Sequence, residues 1–221
     1  MNAVGAPCKG WYATRPLHYR PEMSTRSVLS VEPGQPGPIP STLSVYLCID
    51  FVNSEFAEHR TGAITYDRLA MPEWRRWFLA RCGLLGTTRI DAGMRSEAVR
   101  LRTLLRDLLS RRRLPSEGEL AALNRQLRKA VLDRRVARRD RTIELSSTWR
   151  PDGWPAALAA VVLSYVELVS RGRMDRVRVC ANPSCTYMFF DDSRNGRRRW
   201  CDPAICGNLM HVRFFRLSRF R

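Results

Sequence analysis

Between Met94 and Arg113, apolar side chains recur at three- and four-residue steps (Met94, Ala98, Leu101, Leu104, Leu105, Leu108, Leu109) while arginines fill much of the opposite side. This spacing predicts an amphipathic helix. Pro115, Ser116 and Glu119 then form a capping-box signature, and Leu120, Leu123, Leu127, Ala130 and Val131 continue a second stripe, so the two segments predict a helical hairpin. Upstream, Pro72 opens a shorter helix carrying Trp74, Trp77, Phe78 and Arg81, closed by Gly83. Downstream, Pro155 opens another through Leu158, Val161, Val162, Tyr165, Leu168 and Val169, ending near Gly172. Short strands are predicted at Arg141–Leu145 and Val177–Val179, on either side of turn-forming Pro151, Asp152 and Gly153. Leu43–Phe51 mixes β-branched, aromatic and aliphatic residues and fits a buried strand or a helix start equally well.

Residues 1–40 hold seven of the thirteen prolines and show no sustained periodicity, which predicts a disordered Pro-rich arm. Such an arm is either a basic tail that touches DNA or an upstream stretch from a misassigned start codon. The fold class that follows is mainly α with small β elements: a helical domain over residues 43–172, then a compact cysteine module over residues 176–221. No window reaches the ~18 to 20 continuous apolar residues of a membrane span. The longest candidate, Ala156–Val169, is interrupted by Ser164, Tyr165 and Glu167. The start of the chain has no secretion signal, so no membrane partner and a cytoplasmic location are expected.

Charge sharpens the picture. The chain has 38 basic against 21 acidic residues, a formal +17, and only Lys9 and Lys129 are lysines. Such a surface seeks polyanions, and guanidinium groups suit bidentate contacts with phosphates and guanine edges. Genomic base composition also enriches arginine, so its clustering says more than its total.

The decisive pattern lies near the C-terminus, where Cys180 and Cys185, then Cys201 and Cys206, form two C-x4-C pairs separated by fifteen residues. Two close pairs joined by a hairpin-length insert are what a tetrahedral four-thiolate Zn2+ site requires, each pair supplying one edge. Seven cysteines without an export signal favour metal over disulfides, and the absence of C-x-x-C disfavours a redox pair. Cys8, Cys48 and Cys82 fall outside the pattern, and a ligand role for His211 is redundant with four thiolates. A closed site of this kind supports folding rather than hydrolysis. Within the insert, Tyr187–Phe190 predicts a strand, Asp191–Gly196 a turn and Arg197–Trp200 a returning strand. The sequence after Cys206 predicts a helix. Knuckle, β-hairpin and helix together make a treble-clef-like zinc module.

The stretch DDSRNGRRRWC, the flanking cysteines and the CGN at Cys206, Gly207 and Asn208 resemble the CGNR zinc-finger proteins, bacterial transcription regulators. Those proteins pair this finger with an N-terminal helical ABATE domain, which LCIDFVN at Leu47–Asn53 is similar to. The resemblance covers about residues 43–221, and it departs where Leu209 stands in place of the family's name-giving arginine. It implies a DNA-binding regulator in which that arginine's contact is either missing or taken over by His211, Arg213 or Arg216.

The candidate DNA-binding residues are Arg194, Arg197, Arg198, Arg199, Asn208, His211, Arg213 and Arg216, with the hairpin run facing phosphates and the final helix entering a groove. From Cys180 to Arg221, eight arginines face three aspartates, which keeps this segment net positive. Asp50, Asn53 and Arg60 are candidate residues of a ligand pocket in the helical domain, whose partners would be a small-molecule effector or a second copy in a homodimer. Turn or cap hydrogen bonds are the simpler role for Asp50 and Asn53. The competing reading of the module is RNA binding or protein interaction without sequence-specific DNA recognition. No nucleophile elbow, phosphate loop or HExxH helix points to an enzyme.

Overall fold

The computed structural model describes residues 46–84 and 88–219. The Pro-rich arm expected over residues 1–40 lies outside them. The chain is mainly helical with short antiparallel strand pairs, as the periodicity predicts. Among the described residues six α-helices run α1 (Leu47–Val52), α2 (Pro72–Arg81), α3 (Ala92–Arg111), α4 (Glu117–Leu127), α5 (Trp154–Ser170) and α6 (Asn208–Ser218). Three two-stranded sheets accompany them: β1 (Glu55–Ala57) with β2 (Thr65–Asp67), β3 (Val131–Arg139) with β4 (Thr142–Arg150), and β5 (Val177–Val179) with β6 (Met188–Phe190).

The core forms where the apolar faces of α1, α2, α3 and α5 meet. Ile49, Phe51, Trp74, Phe78, Leu105, Leu108, Leu158 and Leu168 are fully enclosed there. The ambiguous segment around Leu47 is helical, and its residues Cys48–Val52 are buried. Arg102 of α3 is 3% exposed, and its guanidinium bridges Glu55 (2.7 Å), Asp67 (2.6 Å) and the Ser54 hydroxyl (3.1 Å). A buried charge needs such partners, and here they fasten the β1–β2 hairpin to the helix behind it.

Two sequence expectations change. The second stripe of the helical hairpin does not run on through Val131: α4 stops at Leu127, and Val131 begins β3. Of the strand predicted at Arg141–Leu145, residues 142–145 open a longer β4 while Arg141 lies in the turn, and the partner β3 carries no alternating apolar pattern that could announce it.

The capping box at Ser116 is formed, the Glu119 carboxylate accepting from the Ser116 backbone at 2.8 Å. Arg113 also holds Glu119, and its hydrogen bonds pull that carboxyl down to about 2. Because the folded-state value is depressed, this contribution is complete above the ordinary carboxylate range and is lost as pH falls towards 2. Ser116→Ala should cost about 1 kcal/mol in a denaturant titration at neutral pH. An unchanged midpoint would show that the cap is not limiting.

Candidate metal centre

The first cysteine pair sits at the tip of the β5–β6 hairpin. Val177 pairs with Phe190 and Val179 with Met188; the ladder extends through Cys180 N–H to the Tyr187 carbonyl (2.9 Å), and Cys185 N–H closes the turn on the Asn182 carbonyl (2.9 Å). The second pair is set by a π-helical turn, Pro203–Gly207, which leads directly into α6. The Asp202 carboxylate accepts from Ala204 N–H (2.8 Å) and Ile205 N–H (3.1 Å), holding that turn open enough to aim both sulfurs inward. A side chain at Gly207 would crowd the Trp200 ring, since a Cβ there would lie 3.0 Å from it.

All four cysteine sulfurs lie within 4.8 Å of one another. Cys185 and Cys201 are 3.8 Å apart, Cys201 and Cys206 3.7 Å. A tetrahedron with zinc–sulfur bonds of about 2.3 Å has edges of about 3.8 Å, whereas a disulfide needs about 2.05 Å. The donor set therefore fits Zn2+. Without a cation the four groups cannot all ionise: thiol hydrogen bonds from Cys185 and Cys201 hold Cys180 far below the ordinary thiol range, while Cys185 and Cys201 are themselves pushed up by their contacts with Cys180. A central divalent cation removes that conflict by stabilising four thiolates together.

The arginine-bearing segment between the pairs differs from the expected hairpin. The strand at Met188–Phe190 is present, but it pairs with β5, and residues 197–200 form no strand. Asp191 organises this loop instead. Its carboxylate, 1% exposed in the residue as a whole, accepts from Ser193 N–H (3.1 Å), the Ser193 hydroxyl (2.5 Å) and Arg198 N–H (3.0 Å). Burial alone would raise this carboxyl, yet these donors outweigh it and leave it lowered. Arg176 and Arg178 reach across to the Ser193 carbonyl (2.9 Å) and the Gly196 carbonyl (2.7 Å). Gly196 has φ +59°, and a Cβ there would stand 2.8 Å from the Arg176 guanidinium. A left-handed turn this close to a guanidinium favours glycine.

The residues read as DNA contacts fall into two groups. Arg194, Arg197, Arg199, Asn208, His211 and Arg216 are exposed. The Asn208 backbone N–H caps the π-helical turn on the Ile205 carbonyl. Arg198 is turned inward, its guanidinium stacked 4.7 Å over Phe189 and donating to the carbonyls of Trp200 and Cys201. Arg213 donates to the Arg60 carbonyl. Arg198 thus holds the module together, and Arg213 ties it to the helical domain. Leu209 is half-buried in the first turn of α6.

The three pocket candidates serve three different contacts. Asp50 is buried beside Arg81, at 3.5 Å. Asn53, 1% exposed, donates to the Met188 carbonyl (2.7 Å) and accepts Met188 N–H (2.9 Å), so its side chain pairs with β6 as a strand would. Arg60 is exposed, and its main chain meets Glu58 and Arg213.

Several joints between the two parts of the chain escaped sequence reading because their partners are far apart in sequence. Asn182 is fully buried and donates both to the His59 carbonyl (2.7 Å) and towards the Cys206 sulfur (3.6 Å). Thr186 accepts Ala57 N–H (2.8 Å), and Arg106 of α3 ties the Thr186 carbonyl (3.0 Å) to those of Val52 and Glu55. Val177 and Met188 belong to the same apolar core as α1, α3 and α5.

Comparison with known families agrees with this geometry. Residues 46–172 match ABATE, described as "Putative stress-induced transcription regulator". The chain belongs to the ABATE family. Residues 176–219 match the CGNR zinc finger, the segment that holds the four cysteines. No curated protein matched the sequence. This ABATE protein thus couples a helical ABATE domain to a zinc finger, and among its described residues no helix is long and apolar enough to cross a membrane.

Proposed function

We propose that this protein is a cytoplasmic transcription regulator that binds DNA through its zinc finger, the helical domain sensing an effector or mediating self-association. The observation that carries the reading is the exposed side of α6. Asn208, His211, Val212, Phe215 and Arg216 recur there at three- and four-residue steps, all of them exposed, and Arg219 continues the row just past the helix end. A helix with polar, cationic and apolar groups in one stripe suits a major groove, where amides and guanidiniums meet base edges and apolar groups meet thymine methyls. Beside it, Arg194, Arg197 and Arg199 are exposed around the Asp191-anchored loop and supply phosphate contacts. No step of catalysis is assigned to the metal, whose four protein ligands leave no open position.

The two groups should fail differently. Replacing Arg194, Arg197 and Arg199 by alanine should weaken binding to every duplex and lower the salt slope by about 2 to 3, one released counterion per lost phosphate contact. Asn208→Ala with Arg216→Ala should instead erode discrimination between a cognate site and random duplex by ~1 to 3 kcal/mol per good base contact. A genomic binding map of the tagged protein supplies the cognate site. Enrichment at discrete intergenic sites supports the regulator, whereas RNA-dependent recovery replaces it with the RNA-binding reading.

A further inference from the structure

The β3–β4 hairpin is built unlike the rest of the molecule. Nine residue pairs run from Val131–Arg150 at the base to Arg139–Thr142 at the tip, about 30 Å of ribbon, and among the described residues no third strand joins it. Its base is anchored, where Ala130 is buried and Trp149 packs on the core. Two-stranded ribbons in water are marginal unless something covers a face. Here Val136, Ile143 and Leu145 are exposed at 70%, 77% and 49%. The register places Val136 opposite Leu145 and Arg138 opposite Ile143, so Arg134, Val136, Arg138, Ile143 and Leu145 share one face. That face alternates guanidinium and aliphatic groups.

Charge decides what covers it. Residues 131–150 carry six arginines against three acidic residues, and Asp133 is already engaged by Arg135 (3.3 Å) and Arg150 (3.5 Å). A second copy of the arm would bring like charges together, whereas a polyanion relieves them. The major groove of B-DNA admits a two-stranded β-ribbon; its walls offer phosphates to arginines and its floor offers thymine methyls to Val136, Ile143 and Leu145.

We infer that the β3–β4 arm is a second duplex-DNA contact, separate from the zinc finger, which lays its Arg134–Val136–Arg138 face along the duplex. The inference rests on the DNA-binding reading above and extends it to a site in the helical domain.

The test uses the full-length, zinc-loaded protein and a fluorescein-labelled mixed-sequence DNA duplex two helical turns long, titrated at several salt concentrations. Arg134→Ala with Arg138→Ala and Arg141→Ala should bind roughly tenfold more weakly at moderate salt, with a slope lower by about 2 to 3. All three side chains are exposed, so circular dichroism and zinc content should not change. A benzophenone amino acid replacing Val136 in otherwise unaltered protein should crosslink to the duplex, which tests the contact independently of the triple variant. Unchanged affinity and slope without a crosslink, while the finger variants still weaken binding, would overturn the arm and leave the finger reading intact. Loss of binding in the arm variant alone would support the arm and remove the finger reading. Failure of the unaltered protein to bind any duplex overturns both. Arm-dependent preference for single-stranded RNA, or arm-dependent dimerisation with unaltered duplex affinity, also overturns the proposal.

Discussion

Stripping zinc under reducing conditions, or replacing Cys201 by serine, should unfold residues 176–219 and also lower the melting temperature of the helical domain by on the order of 10 °C. The first effect follows because structural zinc supplies ~10 to 16 kcal/mol to modules of this kind, far more than their small apolar cores. The apolar cluster around Cys180, Cys185 and Cys206 adds only Tyr187, Trp200 and Cys201. The second follows because β5 and β6 deliver Val177 and Met188, each 1% exposed, into the main core, and Asn53 loses its partner with them. Burying such side chains is worth ~1.5 to 3 kcal/mol each, and at this size 1 kcal/mol shifts the melting point by ~2 to 4 °C. Metal analysis should find one zinc per chain. A zinc-free purified protein, or a C201S finger that still resists protease, would sink the assignment. An unchanged melting point of residues 46–172 would show that the finger hangs from the domain without supporting it.

Asn53→Ala should destabilise the zinc-loaded protein by about 2 to 5 kcal/mol in a denaturant titration. Truncation leaves both the N–H and the C=O of Met188 buried without partners, and each such orphan costs ~1 to 3 kcal/mol. The fully buried site admits no ready replacement by water. Asn53→Asp keeps an acceptor for Met188 N–H but loses the donor, so it should not rescue. The loss should shrink sharply once zinc is removed, because β6 is then unfolded in both proteins. An equal loss with and without metal would mean that Asn53 serves only the helical domain.

The helices and the thiol cluster were legible because their signals are local. Stripes such as Leu101, Leu105 and Leu108 and paired cysteine spacings are written within a few turns of chain. What failed was pairing. Val177–Val179 and Arg197–Trp200 are equally short candidates to partner Met188–Phe190, and the choice is made by the Asp191 carboxylate and by Arg198, which hold residues 197–200 in a loop. β3 is hidden for a different reason: the side chains of Arg134–Arg138 are exposed on both faces, so no core imposes alternation on the sequence. Asn53 was recognisable as a polar residue in an apolar stretch, yet its partner lies 135 positions away, beyond any spacing rule.

The double duty of Asn182 bears on how such proteins could be recombined. Its amide faces the Cys206 sulfur on one side and the His59 carbonyl on the other, and Thr186 and Met188 make equally specific joints to Ala57 and Asn53. A chimera spliced between residues 172 and 176, carrying this finger on an unrelated scaffold, would therefore expose the inner face of its own hairpin to water. The finger is not a portable cassette: a working transplant has to bring the Asn53–Arg60 surface along with it.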